Sequence, residues 1–85
     1  MSSERVRTAI CSNVARILRE ERLKQNLSMT LLSERAGLSQ QSISYVERGM
    51  RIPNLDTLLR ITAVLGLDLG DVIKRASRIS SNGLK

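Results

Sequence analysis

Gln40, Gln41, Ser44, Tyr45 and Arg48 are the residues of this chain whose types and spacing carry the most chemistry. At roughly 100° per residue they fall in the order Gln40, Ser44, Arg48, Gln41, Tyr45 within one continuous arc of a helix. Ser42, Ile43 and Val46 fall on the opposite arc. A glutamine amide accepts from adenine N6 while donating to N7, and Ser and Tyr hydroxyls reach phosphates or base edges. No acidic side chain sits at the centre of the display. A helix anchored on one side and polar in this way on the other suits the major groove of DNA. Ser39, Arg48 and Arg51 are candidates for backbone phosphates. Two glutamines and a tyrosine also describe an ordinary solvated face, so the arc alone leaves both readings open.

The surrounding pattern predicts what holds this arc in place. Residues 29–49, MTLLSERAGLSQQSISYVERG, contain two short helical patterns joined at Gly37. Ser28 is a good N-cap for a helix over about 29–36, Gly37 permits the positive φ of a sharp corner, and Ser39 caps a helix over about 40–48 that Gly49 ends. Before them, Val6, Ile10, Val14, Ile17 and Leu18 recur at helical spacing and predict a first, longest helix over about 5–25, stopped by Asn26. After them, the only proline marks a loop over about 50–54. Asn54 caps a fourth helix with Asp56 in its first turn and Leu55, Leu58, Leu59, Thr62 and Leu65 on its buried side. Gly66 closes it, and a fifth helix over about 69–77 carries Leu69, Val72, Ile73 and Ala76 on one stripe. No segment shows sustained two-residue alternation. The expectation is an all-α, five-helix single domain over 1–85, with a core over about 14–77, an N-terminal extension over 1–9 and a frayed tail over 78–85.

Composition narrows the partners. Fourteen Lys plus Arg, eleven of them Arg, against eight Asp plus Glu give a formal charge of +6. Such an excess favours a polyanion, because neutralising phosphates releases condensed counterions; a merely soluble basic domain has the same balance. Cys11 is the single cysteine and there is no His, so neither an internal disulfide nor a zinc site is expected. Cys11 reads as a small buried or half-buried apolar residue. With no metal cluster, no phosphate-cradling glycine loop and no base for Cys11, an enzyme is poorly supported and no cofactor is expected. The N-terminus lacks a secretory apolar core and no run approaches the ~18 apolar residues of a membrane span, which predicts a cytoplasmic protein with no membrane partner.

The segment ERAGLSQQSISYVERGMRIPNLDTLLRITAVLGL, with its small-residue turn, Ser-Gln-Gln start, ERG stop and proline loop, strongly resembles the helix-turn-helix domain of the Xre and lambda-type (Cro/C1-type) repressor family. The resemblance covers about 14–72. It implies a lambda-repressor-like five-helix domain in which helices two and three make the helix-turn-helix and helix three reads DNA. Carried over by position, Gln40, Gln41 and Tyr45 match base-reading residues, and Ser44 matches a position that reads bases or touches phosphate. Arg22 falls on the family's arginine that pairs with the glutamate ending helix three, here Glu47, so this pair is assigned a structural role. Three departures matter. Met29 stands where the family commonly has a phosphate-bonding glutamine. Ser33 replaces the usual alanine. Glu21 occupies a usually apolar position, which loosens the registry of helix one and leaves Arg19 as an alternative partner for Glu47.

One recognition helix reads only a few base pairs, too few to single out a site in a genome. A homodimer on a palindromic operator, with readers about 34 Å apart, is the expected solution. Leu65 and the late residues Leu67, Leu69, Val72, Ile73 and Ala76 are candidates for its interface; they can equally close the monomer's own core, and an arm around Val6 and Ile10 is a competing surface. The expected function is a sequence-specific, controller- or repressor-like transcription regulator binding double-stranded DNA. The alternative is an antitoxin-like module that grips a protein partner and binds DNA secondarily.

Overall fold

The structure is a computed structural model that describes residues 3–50 and 53–83, the last three by backbone alone. It is all-helical, and five helices succeed one another: α1 Ser3–Lys24, α2 Met29–Ala36, α3 Gln40–Glu47, α4 Leu55–Leu65 and α5 Leu69–Gly83.

Each boundary has a local cause. Asn26 ends α1 in the left-handed region, at φ 57, while the Leu27 N–H returns to Arg22 O at 3.0 Å. The side chains of Ser28, Ser39 and Asn54 accept from Leu31, Ser42 and Thr57 N–H groups, capping α2, α3 and α4. Gly66 adopts φ 74 beyond α4. The Asp68 carboxylate then accepts from the Asp71 N–H at 3.0 Å and opens α5. Arg48 lies just outside α3, as its C-cap.

The core is aliphatic and draws on every helix: Val14, Ile17 and Leu18 from α1, Leu32 from α2, Ile43 and Val46 from α3, Ile61 and Leu65 from α4, Val72 and Ala76 from α5. α1 and α5 run in opposite directions along each other. Asn13 Nδ2 donates to Ala76 O at 3.1 Å, and Gln25, just past the C-terminal end of α1, donates to Leu65 O at 2.7 Å. These two bonds satisfy carbonyls with side chains that bridge elements distant in sequence.

Four expectations from the sequence are corrected. The buried face of α4 comprises Leu58, Ile61, Thr62 and Leu65, whereas Leu55 and Leu59 are 62% and 48% exposed. Seven of the eleven residues in α4 are apolar, so apolar positions cover more than half the wheel, and packing on α1, α2 and α5 chooses between faces that periodicity leaves equivalent. The stripe of α5 is spent inside the monomer: Leu69, Val72 and Ala76 are buried in its core, which removes them from the dimer candidates. Ile73 remains 43% exposed and Leu67 half-buried. α5 also runs six residues past Ser77, to Gly83, and buries Ser80, because its extension lies along the N-terminal part of α1. Cys11 is exposed.

The rotation of α4 predicts that Ile61→Ala costs about 2–5 kcal/mol by urea denaturation, as expected for truncation in a packed core. Leu55→Ala, which empties no packed space, should stay within about 0.5 kcal/mol of the parent.

Candidate nucleic-acid interface

The corner between α2 and α3 is built around Gly37. Its φ of 70 is left-handed, and a Cβ there would lie 3.0 Å from Arg60 Nη1. Both facts favour glycine. Arg60 itself reaches back from α4: Nη1 donates to Ala36 O at 3.2 Å, and Nε pairs with Asp56 at 2.8 Å. The last turn of α2 thus receives a donor from α4, and the Leu38 N–H closes the corner on Ser33 O at 2.9 Å. Ser33 is buried and its hydroxyl donates to Thr30 O, so the small residue at this position fits beneath the neighbouring helices without an unpaired polar atom.

α3 is held by its inner side. Ile43 is fully buried and Val46 nearly so. At its C-terminal end Arg22 Nε donates to Glu47 Oε2 at 2.7 Å and Nη2 donates to Glu47 Oε1 at 3.0 Å. The third guanidinium nitrogen, Nη1, donates to Leu27 O at 2.8 Å in the α1–α2 loop. One planar side chain therefore joins the end of α1, the following loop and the end of α3, in a buried site where both charges are compensated. Arg19 is exposed on the outside of α1 and takes no part.

The outward arc follows from this anchoring. Gln40, Gln41 and Arg48 are exposed, and Ser44 and Tyr45 are half-buried beside them. Gln41 Nε2 donates to Tyr45 Oη at 2.8 Å, one helical turn along α3. Gln40 Nε2 donates to Thr30 Oγ1 on α2 at 2.6 Å. Arg48 Nη2 donates to Met50 Sδ at 2.8 Å. Ser39 is committed to the cap: its Oγ accepts from the Ser42 N–H and donates to Ser42 Oγ. Arg51 lies outside the described residues. The structure thus brings Gln40, Gln41, Ser44, Tyr45 and Arg48 to one side of one helix, with Ser39 at its start.

Sequence reasoning passed over two participants. The Asp56–Arg60 spacing of four was visible as an intrahelical pair, but the reach of Arg60 to Ala36 O depends on how α4 docks. Thr30 carried no signal beyond being a polar residue in the first turn of a helix.

A helix-turn-helix family model matches residues 18–72, which include both helices of the corner, the Arg22–Glu47 pair and all of α4. The chain belongs to the Xre and lambda-type helix-turn-helix family. The HTH-type transcriptional regulator y4dJ of Sinorhizobium fredii is 39% identical over 62 residues, 73% of this chain and 75% of that protein. An HTH-type transcriptional regulator of Mycobacterium tuberculosis is 42% identical over 48 residues, 56% of this chain; the matched stretch spans only 34% of that regulator's length. The crystal structure of the clp gene regulator ClgR from Corynebacterium glutamicum superimposes with a TM-score of 0.78, over 88% of this chain and 80% of that one. At 21% identity this likeness shows a shared fold. Among the described residues no helix is long and apolar enough to cross a membrane.

Removing one partner of a buried, hydrogen-bonded ion pair strands the other, which costs about 3–5 kcal/mol. Glu47→Ala should therefore destabilise the domain by that amount in thermal or urea denaturation. The double change Arg22→Met with Glu47→Leu should recover much of the loss, because no buried charge is left unpaired.

Proposed function

We propose that this chain is a sequence-specific double-stranded DNA-binding transcription regulator that acts as a homodimer on a palindromic operator, in the manner of a repressor or controller. The observation that carries the reading is the contrast between the two sides of α3. Ile43 and Val46 are buried, Glu47 is neutralised by Arg22, and the opposite side offers Gln40, Gln41, Ser44 and Tyr45 with Arg48 behind them.

Withdrawal of Glu47 into the ion pair matters electrostatically, since a free carboxylate on this face would repel phosphate. A chain of formal charge +6 then meets DNA with the acidic residue of its recognition helix already compensated. Gln40 and Gln41 sit at the N-terminal end of α3, the end that enters the major groove in helix-turn-helix proteins. Ser44 and Tyr45 lie one turn further on. Arg48, the C-cap of the helix, is our candidate for a backbone phosphate, as Arg51 is from sequence alone.

The dimer reading draws on surface apolarity. An apolar groove of about 470 Å³ is lined by Ile10, Cys11, Val14 from α1, Val46, Leu58 and Ile73, among others. Ile73, at 43% exposure, is the member of the α5 stripe that the monomer leaves available. Burying such surface against a second copy would pair two recognition helices, and two half-sites supply the discrimination that one cannot.

The reader assignment is tested by selecting bound duplexes from a random-sequence pool and measuring affinities for the best site and its variants. Gln40→Ala and Gln41→Ala should each lose about 1–3 kcal/mol of discrimination at one base-pair position, leaving weak, salt-sensitive affinity for any duplex. Survival of full specificity in both variants would place the reader elsewhere. For the assembly, Ile73→Glu should shift sedimentation of the free protein toward monomer while its helical content by circular dichroism stays that of the parent. An unaltered dimer in that variant would move the interface off α5.

A further inference from the structure

We propose that Thr30 is a specificity-determining positioning residue, which holds the Gln40 amide in the orientation that reads a base. This inference rests on the assignment of Gln40 as a base reader and adds the residue that aims it.

The geometry is direct. Gln40 is the first residue of α3 and Thr30 the second of α2. Across the corner between them the Gln40 Nε2 donates to Thr30 Oγ1 at 2.6 Å, although both side chains are exposed. A glutamine has three rotatable side-chain bonds and loses much rotamer freedom when it is held in one pose. At an exposed helix N-terminus that freedom would otherwise be lost only on binding DNA. A hydrogen bond already made in the free protein pre-pays part of this ordering. The amide carries two N–H donors and one carbonyl. With one donor engaged by Thr30, one donor and Oε1 remain for a partner, and these are the two groups that a bidentate contact to adenine uses.

The neighbouring residue shows why the task falls to Thr30. Met29, the first residue of α2, is half-buried and packs against the hydrophobic core. Its thioether turns inward and offers α3 no strong hydrogen-bonding group. Thr30 is one position further round the helix and exposed, with its backbone carbonyl accepting from Ser33 Oγ at 2.7 Å. Its hydroxyl makes no other hydrogen bond among the described residues. The hydrogen bond that Gln40 makes to α2 therefore rests on the Thr30 hydroxyl, which a Val of the same shape removes without disturbing the core.

The test is binding of the full chain to the selected duplex and to its single-position variants, for the parent, Thr30→Val, Thr30→Ser, Gln40→Ala and the double variant Thr30→Val with Gln40→Ala. Thr30→Val should lower discrimination about five- to tenfold at the position read by Gln40, the scale of one neutral hydrogen bond. Discrimination at the positions read by Gln41 and Tyr45, affinity for random duplex, the salt slope and the melting temperature should be unchanged. Thr30→Ser, which keeps the acceptor, should discriminate like the parent, and Thr30→Val should have no further effect once Gln40 is Ala. Parent-like discrimination in Thr30→Val, an equal loss at every position, or the same loss in the Gln40→Ala background would each overturn the proposal. Gln40→Ala separates the two levels. If it abolishes discrimination at one position while Thr30→Val keeps the parent's discrimination there, only the role of Thr30 fails; if it retains full discrimination, the reader assignment fails as well.

Discussion

The Arg22 guanidinium is the point on which the arrangement of this domain turns. Its three nitrogens meet both oxygens of Glu47 and the carbonyl of Leu27, so a single rigid fork connects α1, the α1–α2 loop and the end of α3. A lysine could not do this, since its ammonium is one point charge on a flexible stem. The interaction is buried, and desolvation offsets much of its Coulombic gain. Its value lies in geometry. α3 is an eight-residue helix, too short to hold its shape or bearing alone, and the clasp fixes the end opposite the one that presents Gln40 and Gln41.

The rest of the domain supplies complementary restraints. Ile43 and Val46 anchor the middle of α3 in the aliphatic core. Ser39 caps its start. Gly37 sets the turn into it, and Arg60 from α4 holds the last turn of α2 against that corner. Together with the clasp, these restraints act at the beginning, inner side and end of α3. The outer side is left to glutamine, serine and tyrosine groups, with Gln41 bonded to Tyr45 and Gln40 to Thr30.

Charge is arranged in the same sense. The acidic residue on α3 is neutralised internally, Asp56 is paired along its own helix with Arg60, and the formal excess of +6 is left for the outside. Under the proposed function, long-range attraction to a polyanion and short-range reading of base edges rest on different residues. The chain belongs to the Xre and lambda-type helix-turn-helix family, and in it Met29, at the start of α2, is half-buried and packs against the hydrophobic core.

Most of the architecture was legible in the residues because the signals were local. Ser28, Ser39 and Asn54 are caps by their own chemistry, and Asn26, Gly37, Gly49 and Gly66 mark left-handed positions. The outward arc of α3 needed only the period of a helix and the contrast between its two sides. The resemblance to relatives pointed to Arg22 and Glu47, which no local rule would have joined across 25 positions. Tertiary packing alone decided which face of the apolar-rich α4 turns inward, that Leu69, Val72 and Ala76 close the monomer, and that α5 continues beside the start of α1. It also decided that Cys11 is exposed and that Thr30 meets Gln40. These depend on the relative placement of helices far apart in sequence, whereas caps, turns and helical period are properties of neighbouring residues and are written in the chain directly.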